Sequence, residues 1–165
     1  MNINYRLLFI GCAMLVTLVG AGCTLNTSTN NNPVINNEPV TVVDTLNLSN
    51  QGLTQLPNFV LTKIKLQELN ISHNNLTGAL PAEIRQLRNL RKLNISYNQM
   101  TGLPAEIGQL TDLSELNLSY NRLTGLPYEL GNLKNLKTLV LTGNDYSTLD
   151  LDVILKSLPN LKVIK

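Results

Sequence analysis

The 165-residue chain has no Trp, one His and only two Cys, and both Cys fall within the first 23 residues. A disulfide-stapled domain is thereby excluded, and so is a zinc site built from Cys and His. A single histidine, His73, leaves a Ser/His/Asp or Cys/His catalytic centre almost without material. Charge of either sign is also scarce: 13 Lys and Arg stand against 11 Asp and Glu, a net of +2 with the signs interspersed. Nothing forms the basic patch that holds nucleic acid. The chain is therefore expected to be no enzyme and to carry no metal or cofactor. What it has in excess is Leu, 34 times, and Asn, 23 times, together over a third of the residues. Ordinary globular domains are not composed this way.

Residues 1–22 read as an export signal. Arg6 is the only charge before Glu38, and Leu7 to Val19 is a 13-residue apolar run broken by Gly11 and Thr17. Gly20, Ala21 and Gly22 then lead to Cys23. A basic start, an apolar stretch of this length and a small-residue end describe a secretory signal peptide. The end also resembles a bacterial lipobox, with Ala21, Gly22 and Cys23 in place and Gly20 where Leu is usual. The resemblance implies cleavage before Cys23, a diacylglycerol on its thiol and an acyl chain on its amine, enough chains for stable attachment. It implies a bacterial lipoprotein, extracytoplasmic and held in the cell envelope by Cys23, at the inner membrane, the outer membrane or the cell surface. An uncleaved anchor over Leu7 to Leu25 and plain secretion are the alternatives. Residues 23–40 follow as a tether: Thr24 to Val40 holds six Asn, two Pro, one charge and no apolar period. Such a segment cannot bury enough surface to order itself. As a flexible coil it spans roughly 23 Å.

From residue 41 to the end the chain repeats. Val43-x-x-Leu46-x-Leu48 recurs as Leu66-x-x-Leu69-x-Ile71, Leu90-x-x-Leu93-x-Ile95, Leu113-x-x-Leu116-x-Leu118 and Leu136-x-x-Leu139-x-Leu141. A partial sixth unit is Leu161-x-x-Ile164, and the intervals are 23, 24, 23, 23 and 25 residues. A period in this range means a solenoid. The alternating Leu positions have the period of a half-buried strand, and no unit can bury its Leu alone, so the units must stack. The first Leu, the two strand Leu and the next apolar residue (Leu53, Leu76, Met100, Leu123, Tyr146) are expected to point inward. Ile84-Leu87-Leu90, Ile107-Leu110-Leu113 and Leu130-Leu133-Leu136, each spaced by three, suit short helices or 3-10 turns on the outer side. The Pro of each Leu-Pro step (Pro57, Pro81, Pro104, Pro127) suits the first turn of such a helix. Leu151, Ile154, Leu155 and Leu158 predict a longer amphipathic helix, with Asp150 and Asp152 at its start and Lys156 near its end.

The pattern L-x-x-L-x-L-x-x-N-x-L resembles the leucine-rich repeat family. The resemblance implies an α/β leucine-rich-repeat solenoid, a short right-handed horseshoe with a parallel sheet on its concave face and helices or 3-10 turns on its convex face. It also implies that Asn74, Asn98, Asn121 and Asn144 form a ladder bonding the backbone of their own and neighbouring turns. Gln51 stands there in the first unit, which predicts an irregular first coil. The family's ligands commonly meet the exposed strand positions. These are the column Thr45, Glu68, Lys92, Glu115, Thr138, then Asn47 to Val140, then Ser49, Ser72, Ser96, Ser119, Thr142. Beyond them come Asn50, His73, Tyr97, Tyr120, Gly143.

His73, Tyr97, Tyr120 and Arg122 form the preferred binding cluster, because Tyr and Arg are enriched at hot spots. Glu68, Lys92 and Glu115 join it as concave-face candidates, although their alternating signs oppose no single charged ligand. The strand face measures roughly 27 by 17 Å, about 450 Å², against roughly 800 Å² per partner in a standard interface. The expected function is a membrane-anchored, extracytoplasmic binding module for a protein or a glycan. The alternative is a structural or self-associating envelope protein, pairing weakly through the sheet edge near Leu161 to Lys165.

Overall fold

A computed structural model describes residues 43–165. The expected export signal, Cys23 and the expected tether lie outside the described residues. Among the described residues no helix is long and apolar enough to cross a membrane. In chain order the elements begin with strand β1 (Thr45–Asn47), helix α1 (Asn58–Leu61), β2 (Glu68–Asn70), β3 (Thr77–Gly78), a 3-10 turn (Ala82–Gln86) and β4 (Lys92–Asn94). They continue with β5 (Gln99–Met100), a second 3-10 turn (Ala105–Gln109), β6 (Glu115–Asn117), a third (Tyr128–Asn132), β7 (Thr138–Val140), helix α2 (Thr148–Ser157) and β8 (Lys162–Ile164). One six-stranded parallel sheet runs β1-β2-β4-β6-β7-β8, and β3 and β5 pair in a second, two-stranded sheet. The fold is an α/β leucine-rich-repeat solenoid.

The repeat register dictates the core. Leu66, Leu69, Ile71 and Leu76 of one coil, and their equivalents Leu90, Leu93, Ile95 and Met100 in the next, are at most 2 % exposed. The outer triads Ile84-Leu87-Leu90, Ile107-Leu110-Leu113 and Leu130-Leu133-Leu136 join the same core. The outer arcs are 3-10 turns in three coils because apolar residues recur every three positions there, the residue count of a 3-10 turn.

Asn side chains, buried at Asn74, Asn98 and Asn121 and half-buried at Asn144, bind one coil to the next. Asn98 Oδ1 accepts from the Leu76 N–H at 3.0 Å, while its Nδ2 donates to the Ile71 and Ile95 carbonyls at 3.1 and 3.0 Å. Asn121 does the same between Met100, Ile95 and Leu118, and Asn144 between Leu123, Leu118 and Leu141. Asn74 accepts from both Gln51 and Leu53 N–H and donates to Leu48 and Ile71. The carbonyls of Ile71, Ile95 and Leu118 are each shared by two successive Asn, so the bonds run on from coil to coil.

Five expectations need correction. Val43 is 39 % exposed, whereas Leu46, Leu48 and Leu53 point inward and pack against the core, though only partly buried, since the first coil packs on one side only among the described residues. That coil is regular in its strand, with β1 in register with β2, and departs from the others in its outer arc, which is α-helical. The four Pro sit at the N-cap, with extended ψ of 135 to 148°, rather than inside the first turn; the Pro carbonyl accepts the first bond of each arc. Ser72, Ser96 and Ser119 are buried, 3 to 5 % exposed, and so are not part of the open face. Finally, β8 pairs Val163 with Leu139 and Ile164 with Val140, one residue out of step with the Leu161-x-x-Ile164 alignment. The last outer arc is a ten-residue α-helix, and the paired interval Leu139 to Val163 is one residue longer than Leu116 to Leu139, as its smaller rise per residue requires, but one shorter than the alignment implies.

Candidate functional site

The concave face is a shallow groove of about 460 Å³ whose floor is the strand residues that alternate with the core Leu. Parallel pairing sets Glu68, Lys92 and Glu115 side by side on β2, β4 and β6. Lys92 Nζ lies 3.2 Å from Glu68 Oε1 and 4.0 Å from Glu115 Oε1. Its hydrogen bond to Glu68, then the nearby Glu115 and Glu68 charges, hold its ammonium above the usual lysine value. All three side chains are about half exposed, so water screens these pairs and they add little to stability. The column's central charges answer one another.

The next column is fixed differently. Ser72, Ser96 and Ser119 N–H groups donate to the side-chain oxygens of Asn70, Asn94 and Asn117 at 3.1 Å each. This Asx turn ends the strand and starts the inward bend. The Asn-x-Ser pattern therefore has a local structural cause, and it explains why those Ser are buried.

The residue after each Ser, and after Thr142, takes a left-handed backbone: φ is +58° at Asn50, +54° at His73, +55° at Tyr97, +53° at Tyr120 and +72° at Gly143. Such a conformation costs about 1–3 kcal/mol at a bulky residue. It is held by coil-to-coil bonds from the His73, Tyr97 and Tyr120 N–H groups to the carbonyls of Ser96, Ser119 and Thr142 at 3.0, 2.9 and 2.7 Å. The three rings stack along the solenoid: His73 on Tyr97 at 4.3 Å and 10°, Tyr97 on Tyr120 at 4.4 Å and 20°. Each stacked pair adds about 0.5–1.5 kcal/mol, which offsets part of the backbone strain. Gly143 completes the row, because a Cβ there would lie 2.7 Å from Tyr120 Cδ1. Tyr97 is 45 % and Tyr120 48 % exposed, so ring edges face solvent while ring faces cover each other. That covering, and then the Tyr120 phenol beside it, hold the Tyr97 phenol above the usual tyrosine value.

Of the sequence candidates, the structure brings His73, Tyr97 and Tyr120 into one stack and Glu68, Lys92 and Glu115 into one ion-paired row. Arg122 is exposed but belongs to neither. Among the described residues no group of three or more His, Cys, Asp and Glu is placed to hold a metal ion. Sequence reasoning missed Gly143 as the end of the stack. Its signal was a Gly in a column otherwise of larger residues.

Residues 36–165 match the family model of the leucine-rich repeat region, and the chain belongs to the leucine-rich repeat family. It is similar in structure to a leucine-rich-repeat protein of Leptospira interrogans, with 45 % identity and a TM-score of 0.64 over 68 % of this chain and 28 % of that one. A chain of the BIR3–SERK2 complex from Arabidopsis thaliana gives 35 % identity and a TM-score of 0.53, over 56 % of this chain and 51 % of that one. Receptor-like protein 53 of Arabidopsis thaliana is 38 % identical over 101 residues, 61 % of this chain and 10 % of that protein. The chain thus spans 10 to 51 % of the length of these relatives.

Proposed function

We propose that this protein is a membrane-anchored, extracytoplasmic binding module that holds a protein partner against its repeats. The observation that carries this reading is the exposed His73-Tyr97-Tyr120 stack beside the concave groove. Its rings are already ordered by one another and by their backbone, so binding through them loses little side-chain entropy. The kinship with a chain solved in the BIR3–SERK2 complex supports a protein as the partner. The small area of the strand face fits a weak single contact strengthened by many copies on one membrane.

Crosslinking on intact cells, followed by identification of captured proteins, is expected to yield a saturable partner. Tyr97→Ala with Tyr120→Ala should weaken its binding about tenfold to thirtyfold, in the range of hot-spot truncation. Unchanged capture by that double variant would move the contact elsewhere. The anchor rests on Cys23, and Cys23→Ser should abolish labelling by a radioactive fatty acid and release the protein from membranes. Labelling that survives the substitution would refute the lipid anchor.

A second reading, self-association at the sheet edge formed by β8, is favoured by the exposure of Leu149, Val153 and Ile164 on the last coil. Concentration-dependent dimers in sedimentation would support it, and a strict monomer would count against it.

A further inference from the structure

Charges that are interspersed along the sequence are sorted by flank in the solenoid. Each coil turns from its outer arc into its strand through a short bend, and these bends stack. The Asp44, Gln67, Arg91 and Ser114 carbonyls accept from the Gln67, Arg91, Ser114 and Lys137 N–H groups of the next coil at 2.7 to 2.9 Å. Just before them, Asn89 Nδ2 donates to the Ile64 carbonyl and Asn135 Nδ2 to the Thr111 carbonyl, at 2.7 and 2.9 Å. These rows set Lys65, Arg88, Arg91, Lys134 and Lys137 on one flank of four successive coils, all exposed. At about 4.8 Å per coil they occupy about 15 Å of the solenoid. The carboxylates among them are Asp112 and, at the edge, Asp44. None of these five cations lies in an ion pair among the described residues. Lys134 Nζ donates to the Gly131 and Ser157 carbonyls at 2.8 and 3.2 Å, which fixes it without cancelling its charge. The opposite flank, from the strand ends to the starts of the arcs, carries Glu83, Glu106, Glu129 and Asp145, with Arg122 its one Lys or Arg.

Two further observations say what covers this flank. Ile64 is 59 % exposed in the row of Arg88, Thr111 and Lys134, between Lys63 and Lys65 in the chain. An apolar side chain among Lys and Arg suits the boundary between headgroups and acyl chains, where it enters the apolar layer and the cations meet phosphates. A soluble polyanion would leave it in water. The chain also enters the solenoid from this flank, since Val43 and Asp44 lead into the N-terminal end of β1 and the strands of the sheet are parallel. A lipid on Cys23, with a tether of roughly 23 Å, would draw this flank toward its own membrane. The His73-Tyr97-Tyr120 stack follows the other end of the strands, so it would face away from that membrane. We infer that the basic flank docks on the anionic phosphate headgroups of the membrane that carries the anchor. The inference rests on the proposed anchoring, which brings the flank to a bilayer.

Docking is read apart from lipidation by sedimenting the full chain carrying Cys23→Ser with vesicles. Vesicles of phosphatidylcholine and phosphatidylglycerol in equal parts are compared with phosphatidylcholine alone. At about fivefold per net charge, the mixed vesicles should bind about a hundredfold more tightly at about 0.1 M salt, and the advantage should vanish at about 1 M. Lys65→Asn, Arg91→Ser and Lys137→Ser each copy the residue that another coil has in the same row, and together they should remove nearly all of that advantage. Thr77→Glu, Thr101→Glu and Thr124→Glu make the same charge change at exposed positions of the opposite flank, and should leave binding within about twofold. Asp112→Asn, which copies Asn89 and Asn135, should tighten binding about fivefold, an outcome that misfolding cannot imitate. Ile64→Thr, which copies Thr111, should weaken it about threefold. The inference is overturned if mixed and neutral vesicles bind alike, if the basic-flank variant binds no worse than the opposite-flank one, or if Asp112→Asn gives no gain. Dimers at low salt that the basic-flank variant abolishes, without a vesicle preference, would assign the flank to the acidic side of a second copy and overturn it too. Fatty-acid labelling of the unaltered chain reads the anchor separately. Labelling without a vesicle preference refutes docking alone, and a vesicle preference without labelling keeps the docking flank and refutes the anchor.

Discussion

Asn98→Ala is expected to destabilise the solenoid by about 3 kcal/mol, from one orphaned buried donor, weakened sharing at two carbonyls and a small cavity. The Leu76 N–H is buried and is given an acceptor by Asn98 Oδ1. Losing that acceptor costs about 1–3 kcal/mol. The Ile71 and Ile95 carbonyls lose a donor each but keep those of Asn74 and Asn121, so each loss is smaller. Against a typical total stability of 5–15 kcal/mol this is a large fraction. A urea titration should show the midpoint falling with the slope unchanged. A loss below about 1 kcal/mol would mean that water enters and replaces the amide.

Gly108→Val should cost at least about 3 kcal/mol, at the upper end of overpacking penalties. Gly108 is buried in the second 3-10 turn, and a Cβ there would lie 2.7 Å from the Glu129 Cβ and 2.8 Å from the Glu129 carbonyl carbon of the next coil. Those atoms are fixed to the backbone at the start of the third arc, beside the fully buried Leu130, so the coils must separate. Gly131→Val is the matched control, since it sits at the same position one coil later. There a Cβ meets only the Ser157 side chain, at 3.1 and 3.3 Å, and a loss of about 1 kcal/mol is expected. Thermal unfolding of both variants separates the clash from the generic effect of Val in a 3-10 arc. Equal losses would show that coil contact at Gly108 is unimportant.

Much of this architecture was legible because it depends on spacing. Leu69, Leu93, Leu116 and Leu139 fall in one register, and pairing partners in the sheet differ by that same interval. The columns across the concave face follow directly. The places where reading failed are those where a side chain answers a local bond or a neighbour rather than the period. Ser72, Ser96 and Ser119 alternate like surface residues but are drawn in by the Asx turn. Ile164 occupies a Leu position by alignment, yet the sheet pairs it with Val140 and gives the Leu139 position to Val163. Val43 is a core residue by period and exposed by position in the stack.

The candidate site divides along the same line. Sequence alone put His73, Tyr97 and Tyr120 in one column and Glu68, Lys92 and Glu115 in another, because a fixed period makes equivalent positions neighbours. It also pointed to binding, since one His and no Cys after residue 23 leave little for a Ser/His or Cys/His centre. Tertiary structure decided which neighbours interact. The left-handed backbone at His73, Tyr97 and Tyr120 lays their rings along the solenoid, where Arg122, two residues further on, joins no stack. It likewise decided that the Asn column offers donors only, because each side-chain oxygen is already held by its own turn. A repeat determines which residues are adjacent; the backbone angle and the hydrogen bonds at each position determine what they present.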